Sequence, residues 1–593
     1  MLIPQLAFAK AYDQIKTQAI KASPALIFVA PDCDAICANR ILTELLKADQ
    51  INYTVYSVGT YDDLQNYSDQ LVKTDNKLRS IFLINCGGGK DVVKLFDLHD
   101  EREFTIYIVD SHRPYRLRNV CHDERVLVFD DGSSDESHYP EIDVEGSDDE
   151  SGKEDNDFGD DDEAGDDTGK DADEHQNKKR RVHEENAAAA EMRKRRAEMG
   201  QYYRKGTWYG ASAVGTMYAL AAQIGKSRLE LLWLYICGFS DQYLQERIPS
   251  DDYQEEAEAL SGEIQNFKDE AAHREETSGE AVSGNSPRQQ DEISYRDVLR
   301  FTLLNHWSLY ESLYHSPFVF CRLPTWKEAG RKKLEVFFAK VGLSLERSKQ
   351  KFTALEGGEI KRFRDNLVTY KDEYRMHDVL FKSFNRTSNV GSVWANDAVY
   401  GINALLANAT LSPAIADRNW DKSFDLAVDL LKSRGKEQKE LLQEGIELAI
   451  KMQRMAIQKA SAIMEKRAYT LSGPFRYAML DDISEQLVHP TFLTVLGLLM
   501  RDAVRECGSI GKASKPFLIG ALKRDHYLFV GINATPKPGS RLSNHFGKWY
   551  RITAQETHTE IRQNMFDPAI AWVPRDDKDK FLDIMHSTVT LAR

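Results

Sequence analysis

What this chain has little of narrows the field first. Its seven cysteines are scattered over 593 residues, odd in number and without a CxxC pair. That spacing argues against a disulfide framework and against a zinc ribbon. Cys33 and Cys37 lie four apart and would share a helix face, yet no further ligand stands near them. Buried free thiols in a reducing compartment are expected. No run of 18 apolar residues occurs, so no membrane span is expected. Met1 to Lys10 offers no basic segment followed by an apolar core, so no secretory signal is expected either.

Charge is unevenly spread. The net −15 is concentrated in one stretch: Asp130 to Glu174 holds 22 Asp and Glu against 2 Lys. From Lys178 to Arg196 there are 8 Lys and Arg against 3 Glu, which leaves the remainder of the chain neutral. The acidic tract cannot bury enough apolar surface to offset chain entropy, and it reads as disordered. Two basic clusters, Lys178-Lys179-Arg180-Arg181 and Arg193-Lys194-Arg195-Arg196, suggest a bipartite nuclear import signal. A charge partner for the acidic tract is the plainer reading.

At this length two to four domains are expected. Apolar runs at 25–30, 53–58, 80–86, 105–109 and 126–129 read as buried strands, and helical spacing lies between them. Strands alternating with helices predict an α/β fold with a doubly wound parallel sheet. The expected organisation is an α/β domain over 1–130, the acidic-then-basic insertion over 131–200 and a helical completion of the first domain over 201–250. A mobile polar insertion over 251–294 would follow, then a helical interaction or bridging region over 295–472. A small α/β domain over 473–593 closes the chain. Within it, 517–522 and 527–532 read as a hairpin turning at Lys523-Arg524-Asp525-His526.

Three of the strands end in polar clusters: Asp32 and Asp34 after the first, Asn85 after the third, and Asp110-Ser111-His112 after the fourth. Ligands of parallel sheets bind outside the carboxyl ends of the strands. Paired carboxylates with a histidine can hold two divalent metals and activate a water for phosphoester hydrolysis. A structural use is equally open. Asp32 stands where a helix N-cap belongs, Asp34 would favour the positive end of the same helix, and Asp110 could pair with Arg113 or His112.

The order of these clusters resembles the DHH phosphoesterases, the superfamily of the RecJ exonuclease. Within it the chain is most similar to the eukaryotic cell division control protein 45 family. The resemblance rests on Asp32-x-Asp34-Ala35-x-Cys37-Ala38, Leu83-Ile84-Asn85-Cys86-Gly87, Asp110-Ser111-His112-Arg113-Pro114 and Gly206-Thr207-Trp208-Tyr209-Gly210. The acidic-then-basic insertion and His489-Pro490 before a leucine-rich helix add to it. It implies a DHH-like first domain and a DHHA1-like C-terminal domain. It also implies departures from the active enzymes. They place a histidine just before the DxD, where this chain has Val29-Ala30-Pro31, and an aspartate where Asn85 stands. A further acid-histidine ligand position is Ser111, and no Gly-Gly pair occurs from Asn533 to Tyr550. An amide at Asn85 removes a charge that two divalent cations would need.

A vestigial metal pocket is therefore expected at Asp32, Asp34, Asn85, Asp110, Ser111 and His112, with no catalytic residue, no bound metal and no cofactor. The family implies a nuclear, non-catalytic subunit of the replicative DNA helicase. It would bridge the hexameric minichromosome-maintenance (MCM) motor and the GINS tetramer, among other replication-initiation factors. A metal-dependent single-strand exonuclease is the alternative. The stretch from Gly508 to Arg551 carries 8 Lys and Arg against one acid, interleaved with aromatics. Cations beside stacking platforms suit single-stranded DNA. Lys523, Arg524, Arg541, Lys548, Trp549 and Arg551 are the candidates, and a solvated basic hairpin is the bland alternative. The aromatic stretch from Trp307 to Trp326 is compatible with protein partners.

Overall fold

The computed structural model describes all residues except 21, 99–102, 122–123, 133–193, 195–196, 279–290, 389–390, 408–419, 433–434, 472, 508–513, 536–541 and 592–593. The acidic tract beyond Gly132 and the import residues Lys178, Lys179, Arg180, Arg181, Arg193, Arg195 and Arg196 lie outside the described residues, as does Arg541. Lys194 is described and is exposed.

The apolar runs of the first domain become short strands flanked by helices. In chain order these are β1 (Leu2–Ile3), α1 (Phe8–Gln18), β2 (Ala25–Val29), α2 (Cys33–Ala48), β3 (Tyr53–Ser57), α3 (Tyr61–Tyr67), β4 (Ser80–Ile84) and β5 (Thr105–Val109). Then come β6 (His112–Arg113), β7 (Val126–Phe129), β8 (Trp208–Tyr209), α4 (Ala213–Gln223), α5 (Leu229–Leu244) and α6 (Ser250–Ser278). The main sheet runs β1-β7-β5-β4-β2-β3 with every pair parallel. Its central strands are buried on both faces, which is why they read as continuous apolar runs rather than alternating ones. From β2 the chain goes to β3 on one side and then to β4 on the other. The direction of winding reverses there, and the crevice at such a reversal is the ligand site of this architecture.

Residues 250–278 differ from expectation: they form α6, not a mobile insertion. Tyr253, Ala257, Leu260 and Ile264 recur at helical spacing and are buried against the first core. Most of the remaining positions are charged or polar, and they masked this narrow stripe.

The middle region also holds a three-stranded antiparallel sheet that the sequence did not reveal. It consists of β9 (Glu292–Leu299), β10 (Leu380–Ser388) and β11 (Gly391–Trp394). A helical subdomain with its own core is inserted between β9 and β10. Trp307 and Trp326 are buried, so the pair does not form a partner-facing aromatic surface. Next come α7 (Ala395–Leu406) and the 32-residue α8 (Gly435–Lys466). Ile446 and Ala449 of α8 pack near α7, while Ala456, Ile457, Ala460 and Ile463 join the C-terminal core. One helix thus shares its apolar stripe between two cores.

The C-terminal domain contains β12 (Arg476–Leu480), α9 (Pro490–Cys507), β13 (Phe517–Lys523), β14 (His526–Ile532), α10 (Phe546–Thr557), β15 (Ile570–Pro574) and α11 (Lys578–Leu591). Its sheet order is β12-β13-β14-β15, antiparallel except for β12 with β13. Ile519, Ala521, Leu528 and Val530 face α9, while Leu518, Tyr527 and Phe529 face α10 and α11. That alternation is the period-two signature of a sheet covered on both faces.

Candidate functional site

The three strand-end clusters meet at the winding reversal. Asp32 leaves β2 in extended backbone and caps α2, its Oδ1 accepting from Ala35 N at 2.8 Å. Asp34, in the first turn of α2, is fully buried; Oδ2 accepts from Ala213 N at 2.8 Å and Oδ1 from Val214 N at 2.9 Å. It therefore anchors the N-terminus of α4, where an anion is favoured. Asn85 follows β4 with a left-handed φ of 54°, which Asn tolerates better than most residues. Its Nδ2 donates to Asp32 Oδ1 at 3.2 Å and to Asp34 Oδ2 at 3.0 Å. Its Oδ1 accepts from Ser111 N at 2.9 Å and Ser111 Oγ at 3.2 Å. The amide bridges the two carboxylates.

Asp110 is engaged just as fully. Oδ2 accepts from Gly87 N at 3.1 Å and Gly88 N at 2.6 Å. Oδ1 accepts from His112 N at 2.9 Å and lies 2.8 Å from His112 Nδ1. A Cβ at Gly88 would come within 3.0 Å of Asp110 Oδ2, so the glycine run after β4 is shaped to wrap this carboxylate. Of the two partners anticipated for Asp110, only His112 pairs with its carboxylate. Arg113 instead donates to the Asp110 carbonyl at 2.7 Å and pairs with Asp131 at 2.6 Å.

The electrostatics follow from burial. Desolvation and the adjacent Asp32 push Asp34 up to about 7, against the three donors it accepts from. Burial also raises Asp32, opposed chiefly by the Arg247 guanidinium. Asp110 is held below the usual carboxylate range: burial would raise it, but the His112 charge and hydrogen bonds outweigh that. His112 is raised in turn, because Asp110 overcomes a burial that would lower it.

The C-terminal domain covers this pocket and leaves a cleft of about 180 Å³ whose walls include Asp32, His112, Tyr209, Arg247, Asn544 and Asp567. Three residues here gave no sequence signal. Arg247 lies 4.7 Å over the Tyr209 ring and 3.5 Å from Asp241. Asp241 is fully buried and accepts from Asn403 Nδ2 at 2.6 Å. Asp131 is hidden in sequence at the root of the acidic tract. Its Oδ2 also accepts from Ala211 N at 2.8 Å, fixing the Gly206–Gly210 segment, and β6 pairs with β8 alongside. Across the cleft, Arg501 pairs with Glu246 at 2.7 Å and Tyr61 meets Phe566 edge to face at 4.9 Å.

The CDC45 family profile matches residues 25–588. The cell division control protein 45 homologue of Dictyostelium discoideum is 31% identical over 99% of this chain and 99% of its own length. This chain belongs to the CDC45 family. The human cell division control protein 45 homologue is 25% identical, covering 97% of this chain and 98% of its own. The crystal structure of CDC45 from Entamoeba histolytica has the same fold, with a TM-score of 0.67 at 20% identity and 100% of both chains covered. Membership in the CDC45 family places the chain among DNA-replication and cell-cycle factors. Among the described residues no helix is long and apolar enough to cross a membrane.

The nucleic-acid candidates of this CDC45-family chain do not form one patch. Lys523 and Arg524 sit at the β13–β14 turn, whereas Lys548, Trp549 and Arg551 lie on α10. The start of α10 packs at the other end of β14, where Asn544 Nδ2 donates to the Gly531 carbonyl at 2.9 Å. Gly531 is five steps along the strand from His526, roughly 15–20 Å at about 3.3 Å each. Neighbours in sequence have been carried apart by the hairpin.

Proposed function

We propose that this chain is a non-catalytic subunit of the eukaryotic replicative DNA helicase, bridging the MCM motor and GINS during origin firing and fork progression. The family supports this reading, and one observation carries its non-catalytic part: the Asn85 amide spans Asp32 and Asp34. A metal-assisted hydrolase needs carboxylate lone pairs converging on an open point. Here Ala35, Ala213, Val214, Gly87, Gly88, His112 and Asn85 occupy Oδ1 of Asp32 and both oxygens of Asp34 and Asp110, while Asp32 Oδ2 meets only the Asn85 amide among the described residues, at 3.5 Å. No cofactor belongs to this reading. The protein works in the nucleus, imported through Lys178–Arg181 and Arg193–Arg196, beside other replication-initiation factors, and it holds single-stranded DNA weakly.

Co-purification of the tagged chain from cells, read by mass spectrometry, tests the assembly role. MCM and GINS subunits are expected in stoichiometric yield, and their absence would overturn it. Incubation with manganese and labelled single-stranded DNA tests the exonuclease alternative. Digestion abolished by Asp32→Ala and Asp110→Ala would establish that alternative instead. Replacing both basic clusters with alanine is expected to shift the protein to the cytoplasm.

A further inference from the structure

Two pieces of chain far apart in sequence, 204–205 and 545–551, are joined into one basic face. Thr207 and Asn544 exchange backbone hydrogen bonds at 2.8 and 2.6 Å, and Thr207 Oγ1 donates to the Asn544 carbonyl at 3.1 Å. The Ser543 hydroxyl donates to the Lys205 carbonyl. Between them Gly206 has a φ of 79°. A Cβ there would fall 2.6 Å from Ser543 Oγ, 2.8 Å from His545 Nδ1 and 2.9 Å from the Asn544 carbonyl. Only glycine permits that approach. Arg204 and Lys205, both exposed, are thereby fixed beside the start of α10.

Two further cations, Arg204 and Arg551, stand against Lys548. Burial, then Arg204 and Arg551, hold the Lys548 ammonium below its usual pKa. Cations crowded in this way gain from an anion placed between them. His545 and Trp549 lie next to them, their rings 6.0 Å apart and 29° from parallel. Thr207 and Asn544, which tie the two pieces together, also line the cleft, so the basic face borders its mouth. An acidic peptide would use the cations but has no need of the rings. A nucleic-acid strand uses both, phosphates on the cations and bases on the aromatic faces.

We infer that Arg204, Lys205, Lys548 and Arg551 form a phosphate clamp at the cleft mouth, with His545 and Trp549 as its stacking platform and with Lys523 and Arg524 outside it. The inference rests on the single-strand reading above and assigns its site, including two residues that precede the C-terminal domain by more than 250 positions.

The test is fluorescence anisotropy of the full chain with a labelled 20-mer of deoxythymidine, titrated between 50 and 200 mM KCl. Arg204→Ala with Lys205→Ala, and Lys548→Ala with Arg551→Ala, are each expected to weaken binding about tenfold. Each pair should also flatten the dependence of log K on log salt by about 1.4, the loss of two phosphate contacts at about 0.7 apiece. Lys523→Ala with Arg524→Ala should stay within about twofold of the parent. Thermal melts establish that each variant folds, and Arg204→Glu, at an exposed position, serves as a second probe that should weaken binding further. If the parent binds but the Arg204 and Lys205 variants match it, the clamp is wrong while single-strand binding stands. If the parent does not bind the 20-mer, both fail. If polyglutamate of matched charge competes as well as unlabelled strand, the face serves an acidic protein and the nucleic-acid assignment falls.

Discussion

Replacing Asn85 with aspartate is nearly isosteric and isolates one atom. The left-handed backbone at this position suits either residue, and Oδ1 can still accept from Ser111 N. What changes is Nδ2, now an oxygen facing Asp32 and Asp34 at 3.2 and 3.0 Å. Two donor contacts are lost and a third carboxylate enters a buried pair. At an effective dielectric of about 20, unit charges 4 Å apart interact by about 4 kcal/mol. Protonation relieves part of this, so a loss of about 3–5 kcal/mol is expected at pH 8, on the order of 10 °C in melting temperature. The effect has a direction in pH. The crowded carboxylates keep protons in the folded state that the unfolded chain, titrating near 4, has released. Stability of Asn85→Asp should therefore recover as pH falls from 8 towards 5. Manganese should rescue it as well, by about 2.7 kcal/mol at 100 times its dissociation constant, and should leave the parent unmoved. Melting curves at pH 8 with EDTA or manganese decide the matter. A variant that melts within 2 °C of the parent in EDTA would refute the reading that the Asn85 amide holds the two buried carboxylates together.

Two further perturbations probe the covering of the pocket. His489 accepts from Thr491 N at 3.3 Å, and burial, then Lys523, push its pKa down to about 4. The unfolded chain takes up a proton near 6.5 that the folded one refuses, so stability should fall by about 3 kcal/mol between pH 7 and pH 4. His489→Gln should remove that part of the slope in urea titrations; an unchanged slope would exclude His489 as its source. Glu246→Ala leaves the buried Arg501 with the Asp502 carboxylate and the Asn533 carbonyl and should cost about 2 kcal/mol, whereas Arg501→Met should cost less. The reverse order in denaturant unfolding would show that the cleft ion pair does not set the balance.

Some of this molecule was legible in its sequence for a definite reason. Strands buried on both faces leave unbroken apolar runs, and the polar residue that ends each run must lie at the sheet's edge. Asp32, Asn85 and Asp110 were located in that way. Other features leave no such trace. The inward stripe of α6 is only Tyr253, Ala257, Leu260 and Ile264 in 29 residues, diluted by charge. Asp131 stands at the start of 22 acids, where composition makes it look like one more solvated carboxylate. Arg247 reaches the pocket only because α5 ends pointing at it, and spacing does not encode that. Arg204 and Lys205 belong with α10 through a backbone exchange spanning 337 positions, which no local pattern can announce.

The pocket's carboxylates have structural work to do, and this can be tested apart from catalysis. Asp34 holds the first turn of α4, and Asp110 holds the glycine run after β4 together with His112. Asp110→Ala would leave the Gly87 and Gly88 amides buried without acceptors, at about 1–3 kcal/mol each, and would strip His112 of its partner. A residue kept for turnover behaves differently: its alanine variant folds normally and fails at chemistry. If Asp110 is structural, Asp110→Ala should melt well below the parent and lose its protein partners at 37 °C, then regain both the fold and the partners at a permissive temperature. A variant that keeps the parent's melting temperature yet fails to support replication would mean that the Asp110 carboxylate serves a ligand and not the fold.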